Sequence, residues 1–280
     1  MRLLVSLLCT GRYLASPYGR YFLRAHELWF RELEQSITPG SRVLFLDVGA
    51  NTGWYGQYHV ARLRKGTLAA KVMLYMFEPQ PTFRTKLLAD ARRMGGARLV
   101  AAAAWIADAN LTLHMPTVGA VDASLSHSSS SPTKTDVIVP AVDFGRFLRV
   151  EAPKYDVVVL KVDVEGAEYQ LLPRLLLSGS LCPVRYLHLE WHLDFEHDAP
   201  DESLNTMAPQ SARLTALAMR HAFDELLSRG CAEGLAGGRR SILHDESYNN
   251  GFRGHVHVAG LSALSKRHTN VTFSLRGVTA

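Results

Sequence analysis

Apolar runs and amphipathic stretches alternate along this chain. RVLFLDVGA (42–50) is a short apolar run closed by glycine, which predicts a buried strand. NTGWYGQYHVARLRK (51–65) reads as a helix start and a helix, with Gly66 as its stop. KVMLYMFEP (71–79) predicts a second buried strand, and PTFRTKLLADARRMGG (81–96) a helix with proline in its first turn and a glycine stop. ARLVAAAAW (97–105) predicts a third strand, although its alanines also suit a helix. LTLHMP, the Ser-rich loop at 124–135 and DVIVPAVDFGRFL predict a small strand pair that leads into a short helix. KYDVVVLKVDVE (154–165) predicts a fourth strand. Its helix is GAEYQLLPRLLLSG, where Pro173 marks a kink or an early turn. VRYLHLEWH (184–192) predicts a fifth strand, 208–230 contains a long helix, and short strands in SILHDESYNN and GHVHVAG finish the sheet. Residues 1–37 read mainly as helix, ending near Pro39 and Gly40.

Strands that alternate with helices imply right-handed crossovers and a doubly wound, mostly parallel α/β sheet with helices on both faces. No internal repeat is evident, and no boundary separates a second domain. The expected layout is a helical extension over 1–40 and one domain over 41–280. A chain of 280 residues that is 47% hydrophobic and 20% charged can bury the core this requires.

Charge changes the picture little. The net charge is +5, but arginine is scattered and no stripe of basic and aromatic residues appears, so nucleic acid is not an expected partner. Three cysteines without a CxxC (Cys9, Cys182 and Cys231) suggest neither a disulfide framework nor a cysteine zinc site. MRLLVSLLCTGRYLAS faintly resembles a signal sequence, yet its apolar run is far too short to span a membrane. A cytoplasmic protein with an amphipathic first helix is the expectation, and oligomeric state is left open.

Candidate chemistry gathers where the predicted strands end. In a doubly wound sheet, ligands bind at the carboxyl ends of strands near the switch in strand order. DVGANTG closes the first strand; Gly49 and Gly53 allow unusual dihedrals and Asn51 tolerates a tight turn. The loop offers backbone N–H groups and a helix N-terminus to a ligand. Asp47 just before it disfavours a pyrophosphate and suits an amine or hydroxyls. The glycines at 49, 53 and 56 do not fit GxGxxG, which argues against a nicotinamide-dependent oxidoreductase. Glu78 ends the second strand about 30 residues on, and an ionised carboxylate there can accept both hydroxyls of a ribose.

Taken together, FLDVGANTGWY, MFEPQP, VAAAAWIADANLTLHM and VVVLKVDVEGAEYQLL resemble the FkbM-type S-adenosylmethionine-dependent methyltransferases, over residues 42–192. The resemblance implies a class I methyltransferase sheet, Rossmann-like, with seven strands of which the last is antiparallel. It implies transfer of a methyl group from S-adenosylmethionine, mostly to a hydroxyl oxygen of a sugar, polyketide or other small molecule. By position, Asp47, Gly49, Asn51 and Gly53 would line the methionine and ribose portion of the cofactor. Glu78 would hold the ribose hydroxyls, and Ala104 to Asp108 would flank the adenine. The long Ser-rich loop departs from a compact connector, so no acceptor pocket is carried over. A non-catalytic methyltransferase-like binding module is the rival; intact Asp47, Gly49 and Glu78 argue against lost cofactor binding.

Methyl transfer is an in-line displacement that an electronegative pocket favours, and a hydroxyl acceptor often needs a base or a metal to remove its proton. LKVDVEGAE (160–168) puts carboxylates at the end of the fourth strand. Strand alternation places Lys161, Asp163 and Glu165 on one face. Asp163 and then Glu165 are the catalytic candidates: Asp163 takes a proton, holds a metal or bonds the loop. Glu168 suits the first turn of the next helix. In the fifth strand His188, Glu190 and His192 alternate onto one face, with Asp194 following; Glu190 and His192 are the further catalytic candidates. No residue is assigned as a metal ligand, and a divalent metal stays open. His244, Asp245 and Glu246 are either surface residues or part of the pocket wall.

Overall fold

A computed structural model describes residues 17–65, 70–115, 135–192, 222–223, 227, 241–245 and 256–259. Its central strand is β1 (Arg42–Val48), buried at every position but the first. It pairs in parallel with β2 (Lys71–Phe77) on one side and with β7 (Val157–Val162) on the other. β3 (Ala97–Val100) adds to β2, and β8 (Tyr186–Glu190) adds to β7, both in parallel. Two tail strands extend the sheet: β9 (Ser241–Asp245) lies parallel to β8, and β10 (Val256–Ala259) lies antiparallel to β9. The order is β10-β9-β8-β7-β1-β2-β3. The chain thus starts in the middle, runs out to β3, and returns to the far side of β1 at β7. Ligands bind at such a switch point in open α/β sheets.

Near-continuous apolar runs form these strands because both faces of the sheet are covered. Alternate residues of one strand therefore enter two different cores. Leu44, Leu46 and Val48 pack with Phe144 and Leu148 of α4 (Phe144–Glu151) and with Leu171, Leu172 and Leu175 of α5 (Glu168–Leu177). Phe223 and Leu227 join this core. Val43 and Phe45 pack on the other face, against Trp29, Phe30 and Leu33 of α1 (Pro17–Ser36). Val60 and Leu63 of α2 (Trp54–Lys65) and Leu87 of α3 (Pro81–Met94) complete that layer. Pro81 sits at the start of α3, where its missing N–H costs nothing, and Gly95 caps the end with φ 58°. Pro173 lies inside α5.

A second sheet has the order β4-β6-β5, from β4 (Ala103–Trp105), β5 (Ala109–Met115) and β6 (Thr135–Asp143). β5 and β6 are the antiparallel pair expected on either side of the Ser-rich loop, whose residues 124–134 lie outside the described ones. The single strand expected over 97–105 is corrected. Its first part pairs with β2, the chain breaks at Ala101 and Ala102, and its second part pairs with β6. A run of alanines carries no signal for that break, and β4 takes its partner from almost forty residues further on.

Cys182 is disulfide-bonded. Among the described residues no helix is long and apolar enough to cross a membrane. Residues 1–16, most of 208–230, Asp194 and Glu246 lie outside them.

Candidate active site

The loop after β1 turns tightly, with Gly49 at φ 78°, Asn51 at φ 50° and Gly53 at φ 75°. Its first N–H groups donate to the end of β2: Gly49 N and Ala50 N reach the Phe77 carbonyl at 3.1 and 3.0 Å. Glu78 then holds the tip. One carboxylate oxygen accepts from Asn51 N at 2.7 Å and the other from Gln80 N at 2.9 Å. Beside this, the end of β7 approaches the loop backbone, and Asp163 N donates to the Val48 carbonyl at 3.1 Å. A Cβ on Gly49 would lie 1.6 Å from the Asp163 carbonyl oxygen, so only glycine fits where the two strand ends meet.

Lys161 ties the junction together from below, and it is 5% exposed. Its Nζ donates to the Gly49 carbonyl and to Asp163 Oδ2, both at 2.8 Å, and lies 3.6 Å from Asp47 Oδ1. Asp47 is fully buried, and its other oxygen accepts from Gly56 N at 3.0 Å. A Cβ on Gly56 would come within 2.7 Å of that carboxylate, which accounts for the glycine in the first turn of α2. From sequence alone, Lys161 has no role beyond sharing a face with Asp163. The signal available was a lone lysine inside VVVLKVDV, because a buried lysine needs an anionic partner.

Past β7 the chain leaves strand geometry. Glu165 has φ 52° and Gly166 φ 95°. Glu165 is therefore not brought beside Asp163 by strand alternation; a turn brings it there. Glu168, the first residue of α5, is fully buried and accepts from Val164 N at 3.0 Å. The same oxygen lies 2.8 Å from His192 Nδ1. The opposite ring nitrogen, Nε2, lies 3.3 Å from Glu165 Oε2 and 3.7 Å from Asp163 Oδ1. Asp163, Glu165 and His192 are thus brought together. Glu190, half-buried at the end of β8, adds its field to Lys161, Glu165 and His192.

Crowded carboxylates shift one another. Burial pushes Glu165 up to about 8; Asp163, Glu168 and Glu190 add to this and His192 opposes it. Burial works against charge on His192, but Glu168, Glu165 and Glu190 outweigh it and hold the imidazole well above its usual value. Burial likewise opposes charge on Asp163, yet Lys161 and His192 keep its pKa below the usual carboxylate range. Asp47 and Glu78 are both raised by burial.

A cleft of about 630 Å³, part of it open to solvent, lies over the junction. Gly49, Asn51, Glu78 and Gln80 line one side, and Asp163, Val164 and Glu165 line another. Phe77, Ala103, Ala104 and Leu113 give it an apolar wall, so the second sheet closes the cleft. Three predicted cofactor residues lie elsewhere. Asp47 sits beneath the loop, and a Cβ on Gly53 would point at Leu87 and Gln57. Asp108 is half-exposed in an ion pair with Arg146, and it also accepts from Asp143 N. His188 does not join His192. β8 ends at Glu190, and His188 Nδ1 lies 2.7 Å from the Tyr55 hydroxyl on the α1–α2 side.

The sequence matches the profile of the Methyltransferase FkbM domain over residues 47–225, more than half of the chain. No curated protein matches it. Among solved structures it is similar to the methyltransferase FkbM from Methylobacillus flagellatus KT, at 11% identity and a TM-score of 0.40. That similarity covers 74% of this chain and 40% of the other. The profile match spans the β1 loop, Glu78, the β7 junction and the cluster around His192, and on it the chain belongs to the FkbM methyltransferase family.

Proposed function

We propose that this chain transfers the methyl group of S-adenosylmethionine to a hydroxyl oxygen of a small molecule or sugar. The observation that carries this reading is the cleft where β1, β2 and β7 end, with Glu78 on one side and the Asp163–Glu165–His192 cluster on the other. Each Glu78 oxygen accepts one backbone N–H and keeps lone pairs for a diol. The apolar wall of Phe77, Ala103, Ala104 and Leu113 suits a nucleobase. A sulfonium is positively charged, so it favours a position between Glu78 and the acidic end of β7. The residues present thus fit the cofactor the family uses. On this reading the sheet is of the class I methyltransferase kind, which antiparallel β10 at its edge supports. Residues 41–280 then act as one catalytic domain, and α1 of the extension covers one face.

In the reaction, a lone pair of the acceptor oxygen forms the new C–O bond. The C–S bond breaks with its electron pair passing to sulfur, and the hydroxyl proton goes to the cluster at Asp163 and then to solvent. The test is a screen of small-molecule extracts with S-adenosylmethionine carrying a deuterated methyl. Mass spectrometry should find an acceptor that gains one labelled methyl on oxygen, and Asp163→Asn should lose at least about 100-fold in rate. Full turnover by Asp163→Asn on that acceptor would sink the catalytic assignment. Label found on nitrogen or carbon would sink the oxygen assignment.

A further inference from the structure

We propose that Asp163, Glu165 and His192 form a divalent-cation site facing the cleft, with Glu168 as the group that orients its imidazole. One donor atom from each of the three lies within 4.8 Å of the others. From His192 Nε2, the carboxylate oxygens of Glu165 and Asp163 are 3.3 and 3.7 Å away. Donors bound about 2.1 Å from one ion at neighbouring positions sit about 3.0–3.4 Å apart, so small side-chain adjustments bring all three onto a single ion.

The imidazole is set for this independently of the three donors. His192 Nδ1 faces Glu168 Oε1 at 2.8 Å. An ionised carboxylate only accepts, so Nδ1 carries a hydrogen, and Nε2, facing Asp163 and Glu165, is the nitrogen that gives up its proton when an ion binds. Glu168 is itself fixed, fully buried and bonded to Val164 N. A carboxylate behind the far nitrogen of a histidine is the recurrent support of a metal ligand.

Two more features agree. Asp47, Asp163, Glu165, Glu168 and Glu190 converge here, and Lys161 supplies one compensating charge from β7. Asp163 and Glu165 line the cleft, so an ion held by them keeps open positions on the side where a substrate enters. One nitrogen and two carboxylate oxygens suit a hard to borderline ion, and the imidazole favours Mn²⁺ over Mg²⁺. Its role rests on the O-methylation reading: an ion held by these residues would lower the pKa of the acceptor hydroxyl and ease the loss of its proton through the Asp163 cluster to solvent. No electron is exchanged with the ion.

Mn²⁺ titration of the full chain, followed by electron paramagnetic resonance, tests the site without any turnover. One ion per chain is expected, with nitrogen coupling from a single imidazole in the pulsed spectrum. Glu165→Gln should weaken uptake at least about tenfold, and Glu168→Gln by about 10- to 100-fold. Spectra of the unaltered chain decide the matter even if a variant does not fold. No uptake, or uptake without nitrogen coupling, would overturn the site, as would unchanged uptake in folded Glu165→Gln. S-adenosylmethionine binding is measured on the same sample. Binding of that cofactor without Mn²⁺ uptake removes this inference and spares the methyltransferase reading; Mn²⁺ uptake without cofactor binding does the reverse.

Discussion

The end of β7 depends on Lys161. It is a buried ammonium that bonds the Gly49 carbonyl and Asp163 and stands near Asp47. Burial opposes its charge, but Asp163 and Asp47 outweigh that and raise its pKa. Lys161→Met keeps the length of the side chain and removes the charge, which leaves buried Asp47 uncompensated and takes from half-buried Asp163 its nearest cation. A loss of about 3–5 kcal/mol is expected, measured by urea denaturation. A variant as stable as the parent would contradict the role assigned to the ammonium. The neighbouring carboxylates were legible in the sequence because acids at the end of an apolar strand are out of place. The pairing of His192 with Glu168 was not, since it joins the start of α5 to the chain beyond β8, and only the packed sheet sets that distance.

At the scale of elements, α1 meets α2 and β8 through a buried polar cluster. The Tyr55 hydroxyl lies 2.9 Å from His26 Nε2 and 2.7 Å from His188 Nδ1. The His59 ring packs against Tyr55, His26 and Phe30. Burial lowers His26 to about 4, with Glu27 opposing and Arg62 adding, and lowers His59 to about 2, with His26 and Arg62 adding. Both folded values lie below the unfolded one of 6.5. The unfolded chain therefore binds more protons as pH falls, and stability is lost from pH 6.5 downward. The loss for His26 ends near pH 4 and that for His59 continues below it. Each contributes about 1.4 kcal/mol per pH unit in its window. Melting temperatures of the parent and of His26→Gln between pH 7 and 4 check this, and the parent should show the steeper fall. Equal slopes would contradict it. Sequence alternation pointed His188 at the catalytic face because it assumed the strand continued to His192. The strand stops at Glu190, and His188 serves this cluster instead.

Across the whole molecule, the parallel sheet and the order of its first elements were readable because each apolar run is short, closed by glycine or an acid, and followed by an amphipathic stretch. The second sheet was not readable as built. β4 pairs with β6 across the Ser-rich insertion, and nothing local in VAAAAW marks the change of sheet. This sheet matters to function because Ala103, Ala104 and Leu113 form the cleft wall opposite the strand ends. It also accounts for Asp108: the residue follows β4 but turns out to Arg146 rather than into the cleft. The cleft therefore depends on two sheets and on elements far apart in the chain. A ligand that fills it should stabilise the whole fold, by about 2.7 kcal/mol at a hundred times its Kd.

The central claim is that Glu78 and the β1–β7 junction form a site for S-adenosylmethionine. Isothermal titration calorimetry with S-adenosylmethionine and with S-adenosylhomocysteine tests it most directly. One molecule per chain should bind. Glu78→Ala should weaken binding about 100-fold, as expected for two lost hydrogen bonds to a charged group. Asp108→Ala, outside the cleft, should change it less than about twofold. Absence of binding by either compound to the folded parent chain would contradict the account.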